Sequence, residues 1–399
     1  LGKELGQMRI LFLFQIFDYD SSTIYLDLVR ECRDRGHLVT LVAGNSRNDL
    51  PDGVTEVEGI RTVYMKLPDQ FGAGSAKKAL IQMSIPLRLK LILKDYFEGE
   101  TFDIIAYPTP PITLAPVLKY CAKKYKSAVR YLMLKDIFPQ NAVDLKMFSS
   151  SSPIYRYYRR MEKKLYAYSD RIGCMSEANI AYLKEHDPEI ENSKLEYFPN
   201  TVAVHDVEPC SPASGKGLKV VFGGNMGRPQ DIAGLLKSID HCGSQPDLDD
   251  VYFYFVGDGT ESRLIEEYLE KNPKNLSYRH QLPRPEYEKL LANADVGMIS
   301  LSKDFTIPNF PSRLLSYMQI KKPVFAVLDD ATDMGECIEE ARCGISVKAG
   351  DPEAFAEGIR RLKADREKLP QLGENGRRYL ERYFNTGVSA DILERAYRG

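Results

Sequence analysis

Short apolar runs that alternate with amphipathic helical stretches constrain the fold of this chain more than any other feature. The first run covers residues 8–14, and a helical pattern follows at 23–35 and ends at Gly36. Later runs of strand length in this half are at 37–42, 104–107, 128–133 and 171–174, with helical stretches at 113–124 and 154–168. Strands that alternate with helices predict a parallel, doubly wound α/β sheet.

The alternation restarts after residues 200–217, a segment containing Pro, Ser and Gly that we interpret as a linker. The pattern predicts strands at 218–222, 251–256, 276–279, 296–300 and 324–327, and helices at 231–239, 261–271, 284–292 and 311–318. We therefore expect two Rossmann-like domains, at 1–199 and 218–380, facing a central cleft, and a final helix at 381–399 that crosses back to the first domain. In such folds ligands bind at the carboxyl ends of the strands.

Length and composition exclude several classes of protein. The 399 residues suffice for two domains with separate cores. The 54 Lys and Arg against 56 Asp and Glu give a net charge of −2, which argues against a nucleic-acid partner. Seven scattered Cys without a Cys-x-x-Cys pair indicate a reducing, cytoplasmic compartment. Because no signal-peptide pattern and no run of about 18 apolar residues occur, we expect neither secretion nor a membrane span.

The segment GGNMGRPQ at residues 223–230 joins a predicted strand to a predicted helix. Its three glycines let a ligand approach the backbone, and the helix that follows presents free N–H groups to an anion. Arg228 adds a planar donor group that fits a phosphate. The alternative is a tight turn with a surface arginine. Since the spacing is not G-x-G-x-x-G, a nicotinamide dinucleotide site is poorly supported.

Two later loops also follow predicted strands. For Gly257 and Asp258 there are two interpretations: they pack beside a nucleotide base, or they form a turn without a ligand. In residues 307–314, Pro311 suits the first position of a helix, which places Ser312 and Arg313 in its first turn. A cation there opposes the helix dipole, and a bound anion would relieve that conflict; an exposed arginine bound to nothing is the alternative.

Asp136 follows the predicted strand at 128–133, so its carboxylate is expected at the edge of the sheet where ligands bind. A carboxylate at this position can bind the hydroxyl of an acceptor or take its proton as a general base. The alternative is a cap of a turn or helix.

Two stretches combine basic and apolar residues. Residues 77–94 read KKALIQMSIPLRLKLILK, and Pro86 is expected to divide them into two short segments. Residues 155–164 interleave three Tyr with five Lys and Arg. This composition is typical of a helix at an anionic membrane surface, and a solvated helix face is the alternative.

Signals for a metal site or a nucleophile are weak. The five His form no H-x-x-x-H or H-E-x-x-H pattern, and neither G-x-S-x-G nor a P-loop is present. We therefore expect no metal and no other cofactor, and phosphate recognition by glycine turns, helix ends and arginines.

Six motifs in order make the chain similar to bacterial glycosyltransferases of family 4, which have the GT-B fold, and most of all to the subgroup that builds capsule, O-antigen and exopolysaccharide. The resemblance extends over nearly the whole chain. The motifs lie at residues 35–40, 136–139, 199–200, 224–230, 291–297 and 310–324, the last running from Phe-Pro-Ser-Arg to Lys-Pro-Val.

This resemblance implies retaining transfer of a sugar from a nucleotide-sugar, most often a UDP-sugar, to a polyprenyl-diphosphate-linked glycan at the inner face of the membrane. Electrostatic stabilisation of the departing diphosphate would be the main catalytic effect. The implied catalytic residues are Asp136, Arg228 and Arg313, and the implied acceptor site contains Asp20, Ser21, Ser22, Pro110 and Asp136. The implied donor site contains Gly224, Asn225, Gly227, Arg228, Gln230, Gly257, Asp258, Pro283, Pro311, Ser312, Arg313 and Ser316.

The chain departs from the family pattern at several positions. A Glu-x7-Glu pair common in the family is replaced by Pro308 and Ser316, and the usual lysine of the diphosphate loop by Gln230. The glycine pair of the first N-terminal loop is absent. Two alternatives therefore stay open: a UDP-sugar 2-epimerase of the same fold, which needs no acceptor, and a non-catalytic scaffold protein.

Overall fold

A computed structural model describes residues 6–19, 24–45, 53–67, 75–206 and 217–398 of the chain. The chain divides into two compact units. The first contains the described residues up to Ala203 together with those from Thr386 onward, and the second runs from Val204 to Asn385. Each unit is built on its own sheet, of eight and six strands.

The first unit has a sheet whose strand order is β3-β4-β2-β1-β5-β6-β7-β8. All neighbouring strands are parallel except β3 and β4. The strands are β1 (Arg9–Ile16), β2 (Leu38–Asn45), β3 (Gly53–Val57), β4 (Ile60–Lys66), β5 (Ile104–Pro108), β6 (Val129–Leu134), β7 (Arg171–Cys174) and β8 (Leu195–Tyr197). The helices are α1 (Ile24–Asp34), α2 (Ser75–Tyr96), α3 (Ala115–Lys124), α4 (Gln140–Asp144), α5 (Pro153–Tyr168), α6 (Glu177–His186) and, from the end of the chain, α14 (Thr386–Arg398).

The second unit has an all-parallel sheet in the order β11-β10-β9-β12-β13-β14. Its strands are β9 (Lys219–Gly223), β10 (Tyr252–Val256), β11 (Leu276–Arg279), β12 (Val296–Ser300), β13 (Val324–Leu328) and β14 (Gly344–Lys348). Its helices are α7 (Ile232–Gly243), α8 (Ser262–Leu269), α9 (Arg284–Ala292), α10 (Arg313–Gln319), α11 (Met334–Ala341), α12 (Pro352–Ala364) and α13 (Leu369–Tyr383).

The central strands are buried on both faces, which explains why they read as continuous apolar runs. Every residue of β5, β12 and β13 is buried. The helices between the strands begin at local signals: the Ser152 hydroxyl accepts the Tyr155 N–H ahead of α5, and Asp351 caps α12 in the same way. The predicted α/β fold with two parallel sheets is confirmed.

Two features of the first unit differ from the sequence-based expectation. Pro86 lies inside a single helix, α2, so the predicted division into two segments is wrong. The side chains of Ile85, Leu89 and Leu93 are fully buried at a spacing of four residues, and burial of such side chains outweighs the roughly 3 kcal/mol that an interior proline costs. The β3–β4 hairpin was not predicted; its turn has positive φ at Glu58 and Gly59.

The last helix, α14, contributes to the core of the first unit. Ala390, Ile392 and Leu393 are buried in the same apolar cluster as the side chains of β1. Polar contacts add to this packing. Glu394, on α14, accepts hydrogen bonds from Arg35 Nη1 at 3.0 Å and His37 Nε2 at 3.1 Å. The chain thus enters the second unit once and returns to complete the first.

The Glu394 carboxylate provides a test of this anchoring. Glu394→Ala leaves a half-buried arginine and a buried histidine without their shared acceptor, so we expect the free energy of unfolding of the first unit to fall by about 2 kcal/mol. Asp391→Ala is the matched control, because Asp391 binds the same Arg35 but its side chain is 61% exposed; we expect a loss below about 1 kcal/mol there. Urea unfolding measures both. Equal losses in the two variants would contradict the role given to Glu394.

Candidate functional site

Two glycine turns lie side by side at the carboxyl end of the second sheet. Gly224 follows β9 with φ of +104°, and Gly257 follows β10 with φ of +143°, conformations that favour glycine. The Gly224 N–H donates to the Val256 carbonyl at 2.8 Å, and the Met226 N–H donates to the Asp258 carbonyl at 3.0 Å. The two turns therefore hold each other in place.

The packing between these turns leaves no room for side chains. A Cβ atom at Gly257 would lie 1.9 Å from the carbonyl oxygen of Gly224, and one at Gly259 would lie 2.3 Å from the carbonyl oxygen of Met226. A Cβ atom at Gly224 itself would lie 2.8 Å from Nη2 of Arg313. Glycine at these positions thus lets both the neighbouring turn and the arginine approach the backbone.

Arg313 is the first residue of α10, and its guanidinium lies against the first glycine turn. The Arg313 carbon Cζ is 4.7 Å from the centroid of the Phe222 ring, and Nη2 is 3.5 Å from the carbonyl oxygen of Asn225. Among the residues that the structure describes, no carboxylate lies within 4.0 Å of this guanidinium. The positive charge of Arg313 is therefore not balanced by any described negative charge beside it.

Aromatic side chains surround Arg313, which is half-buried. Burial lowers the pKa of its guanidinium, opposed by the nearby hydroxyls of Tyr317 and Tyr287. The Tyr317 hydroxyl lies 3.0 Å from the Met298 carbonyl, and the Tyr287 hydroxyl occupies the space that a side chain at Gly223 would need. A half-buried cation with no carboxylate beside it favours a bound anion.

The rest of the first turn is ordered by Gln230. Its Oε1 accepts the Gly227 N–H and the Asn225 side-chain N–H, each at 3.1 Å. Arg228 begins a short 3-10 turn, and its side chain is exposed. Gly224 and Asn225 are exposed as well. The structure thus brings together the five residues predicted for the first turn, and the hydrogen bonds to Gln230 fix its shape. The five are Gly224, Asn225, Gly227, Arg228 and Gln230.

The start of α10 differs from the prediction. The helix begins at Arg313, so Pro311 and Ser312 precede it and do not form its first turn. The Leu314 N–H donates to the Pro311 carbonyl at 3.3 Å, and the Leu315 N–H donates to the Ser312 carbonyl at 3.0 Å. These bonds span three residues, which is the 3-10 pattern that often precedes an α-helix. Ser316 lies within α10 and is exposed.

The second turn is connected to the loop that precedes α9. The Asp258 carboxylate accepts the Gln281 N–H at 2.8 Å and contacts His280 Nδ1 at 2.6 Å. Pro283 is the residue before α9. Asp258 therefore orders residues 280–283, and its oxygens are already engaged by the protein.

Asp136 follows β6 in the first unit, as predicted. The Thr109 hydroxyl accepts the backbone N–H groups of Lys135 and Asp136 at 2.9 and 3.1 Å, and this fixes the loop. Burial raises the pKa of the Asp136 carboxyl to about 6. Among the described residues, none donates a hydrogen bond to that carboxylate. Pro110 is exposed in the neighbouring loop, and Asp20, Ser21 and Ser22 lie outside the described residues.

Sequence reasoning missed the aromatic residues around Arg313: Phe222, Tyr287 and Tyr317. They come from three different elements, and each reads as an ordinary core residue in its own segment. Within the described ranges, no group of three or more His, Cys, Asp or Glu is arranged to hold a metal ion. No described helix has the length and apolar character needed to span a membrane.

Comparison with known families matches both units. The family described as "Glycosyl transferases group 1" matches residues 210–379, and "Glycosyltransferase Family 4" matches residues 21–205. A similar curated protein is the probable glycosyltransferase WbjE of Pseudomonas aeruginosa. It is 28% identical over 303 residues, which cover 72% of each chain.

Solved structures share the fold over nearly the whole chain. Sucrose-phosphate synthase from Thermosynechococcus elongatus superposes with a TM-score of 0.75 at 16% identity and covers 98% of both chains. The glycosyltransferase WaaG, involved in lipopolysaccharide biosynthesis, gives 0.68 at 13% identity, covering 98% of this chain and 100% of its own. Anabaena HepE, solved with UDP-glucose, gives 0.66 at 14% identity with the same coverage. These likenesses identify the fold as GT-B.

The contact between the glycine turns can be tested at Gly257. In Gly257→Ala the new methyl group collides with the Gly224 carbonyl, and the positive φ adds strain of about 1–3 kcal/mol. We expect a lower melting temperature and at least tenfold weaker binding of inorganic pyrophosphate, measured by calorimetry. Gly335→Ala is the control, because a Cβ atom at this helical glycine would meet side chains and no backbone, with the Ser346 hydroxyl at 3.2 Å and Leu328 at 3.6 Å, and alanine favours a helix. Unchanged pyrophosphate binding in Gly257→Ala would contradict the assignment of the turns.

Proposed function

Because the chain belongs to the bacterial GT-B glycosyltransferases of family 4, we propose that it transfers a sugar from a UDP-sugar to a polyprenyl-diphosphate-linked glycan. The transfer retains the configuration of the anomeric carbon and serves the assembly of a surface polysaccharide. The enzyme acts on the cytoplasmic side of the membrane, where the lipid-linked acceptor is presented.

The observation that carries this proposal is the uncompensated Arg313 beside the Gly224 turn. A half-buried guanidinium with no carboxylate near it among the described side chains favours an anionic ligand strongly. A nucleoside diphosphate supplies two phosphates of the right size for a turn built from glycines. Arg228, exposed on the next turn, adds a second cation.

The remaining residues of the proposed donor site surround this anion site. Gly224 and Gly227, which have no side chains, let the diphosphate come close to the turn beside Asn225, while Gln230 keeps the turn in shape. Gly257, Asp258 and Pro283 line the side of the nucleoside base. Pro311 and Ser312 belong to the helix start that presents Arg313 to the phosphates, and Ser316 is the proposed position of the ribose contact.

The uracil base is proposed because of the relatives that share this fold. HepE was solved with UDP and with UDP-glucose, and Staphylococcus aureus TarM, with a TM-score of 0.68, was solved with UDP. The polysaccharide assignment has the same kind of support, from WaaG and its role in lipopolysaccharide biosynthesis.

The proposed mechanism is electrostatic. The bond between the anomeric carbon and the β-phosphate oxygen breaks, and the negative charge that develops on the leaving diphosphate is stabilised by Arg313 and Arg228. The acceptor hydroxyl attacks from the same face and loses its proton. Asp136, whose carboxylate is free of hydrogen bonds from described residues, binds that hydroxyl and accepts the proton.

The charge of Arg313 should determine donor affinity. In Arg313→Ala we expect UDP to bind at least tenfold more weakly, because a charge-assisted hydrogen bond of about 1.5–3 kcal/mol is lost, while uridine, which has no phosphate, binds as before. Arg228→Ala should show the same selective loss. Isothermal titration with UDP, GDP and uridine measures the affinities and identifies the base.

Arg263→Ala is the matched control for these variants, because Arg263 is exposed and, among the described residues, its ion pair is with Glu267 inside α8. It should bind UDP like the wild type. Failure of the wild-type protein to bind UDP or GDP would overturn the donor proposal and favour a scaffold role. Turnover of a UDP-sugar without any acceptor, with epimerisation at C2, would favour the epimerase.

The proposed role of Asp136 predicts a pH dependence. Only the ionised carboxylate accepts a proton, so the turnover rate should rise as pH increases through about 6 and level off above it. Asp136→Asn should lower kcat at least a hundredfold and remove this acidic limb, with UDP affinity unchanged. Initial rates across pH 4.5–8.5 provide the measurement, and an unchanged acidic limb in Asp136→Asn would assign the titration to another group.

A further inference from the structure

Helix α5 carries an apolar stripe and a cationic stripe next to each other. Ile154, Tyr157 and Met161 follow the spacing of one helix face, and Ile154 and Tyr157 are 47% and 43% exposed. Arg156, Arg160 and Lys164 follow at intervals of four residues on the adjacent face, and all three are exposed. A helix with this division of side chains has the character of one that lies in a membrane interface.

The cations of this stripe are not engaged by the protein. Arg159 binds Glu162 and Asp187, and Lys163 pairs with Glu189 at 2.7 Å. By contrast, within the part of the chain that the structure describes, no acidic group lies within 4.0 Å of the side chains of Arg156, Arg160 or Lys164. These three side chains and their neighbours line an open cavity of about 470 Å³ whose only acidic residue is Glu189.

Helix α2 extends the apolar stripe. Leu87 and Leu91, on α2, are 62% and 49% exposed. A second cavity, of about 290 Å³, joins the two helices and is lined by Pro86, Leu87, Lys90, Thr113, Pro116, Tyr157 and Met161, none of them acidic. The exposed apolar side chains of α2 and α5 therefore belong to one surface, which we call the α2–α5 face.

We propose that the α2–α5 face docks on the surface of an anionic phospholipid bilayer. Leu87, Leu91, Ile154 and Tyr157 enter the region between headgroups and acyl chains, and Arg156, Arg160 and Lys164 bind lipid phosphates. The proposal rests on the proposed function only in its purpose, since a lipid-linked acceptor lies in such a bilayer. The docking itself requires neither donor nor acceptor.

Charge favours a bilayer over a second copy of the chain. In a two-fold dimer this face would meet itself, and the three cations would oppose three identical cations, while Glu189, the acidic residue beside them, is already paired with Lys163. An anionic bilayer supplies both the negative charge and an apolar layer below it. A soluble acidic protein supplies the charge alone, and the experiment below separates it from a bilayer.

The test is co-sedimentation of the full chain with vesicles at low and high salt. We expect binding to phosphatidylglycerol vesicles and at least tenfold weaker binding to pure phosphatidylcholine vesicles. The triple variant Arg156→Ala, Arg160→Ala, Lys164→Ala should lose at least tenfold in affinity for phosphatidylglycerol. The double variant Leu87→Ser, Ile154→Ser should lose a similar factor, because the apolar contribution is removed while the charge is kept.

The matched control removes the same charge from the second unit. Lys237, Lys271 and Lys274 are exposed there, and their triple alanine variant should bind phosphatidylglycerol vesicles like the wild type. Equal losses in both triple variants would show a net-charge effect and overturn the proposal. Wild-type binding by the α5 triple variant would overturn it too, as would soluble polyglutamate binding as tightly as vesicles with no effect of the serine substitutions.

Measuring UDP affinity on the same preparations separates this proposal from the donor assignment. The α5 and α2 variants should keep wild-type UDP affinity and melting temperature, which excludes misfolding as the cause of lost vesicle binding. If UDP fails to bind while vesicles bind as expected, the donor proposal fails and the docking face stands; the reverse result overturns the docking face alone.

Discussion

The half-buried positive charge of Arg313, without a counter-ion among the described residues, is the interaction on which the rest of the site depends. The ring of Phe222 packs against one side of the guanidinium, with its centroid 4.7 Å from the Arg313 carbon Cζ. Gly224 has no side chain, so the guanidinium can approach the backbone there. Gly257 has none either, so the second glycine turn can pack directly against the first. An arrangement of this kind lowers the stability of the empty protein and returns that energy when an anion binds. The site is thus arranged to bind an anion before any ligand is present.

Much of the fold could be predicted because the central parallel strands are buried on both faces and therefore read as apolar runs with helices between them. The hairpin of β3 and β4 gave a weaker signal, since its turn uses Glu58 where Asn or Asp is the usual residue before glycine. The continuity of α2 through Pro86 was not predictable from local rules, because it depends on side chains that pack against the sheet and α3.

The candidate site was predictable only where the backbone requires a special residue. Glycines 224 and 257 stand out in sequence, and Arg313 is conspicuous at a helix start. The aromatic residues around Arg313 lie in β9, α9 and α10, up to 95 positions apart in the chain, from Phe222 to Tyr317. No local pattern connects them, because their arrangement is created by the sheet and its covering helices.

The return of the chain to the first unit has a consequence for synthesis. The core of that unit includes Ala390, Ile392 and Leu393, which the ribosome adds only after the whole second unit has been made. The second unit is continuous in sequence and can fold as soon as it leaves the exit tunnel, whereas the first must wait with an incomplete core. The first unit therefore completes its core last although its synthesis begins first, and the apolar surface that α14 covers has no partner during that interval.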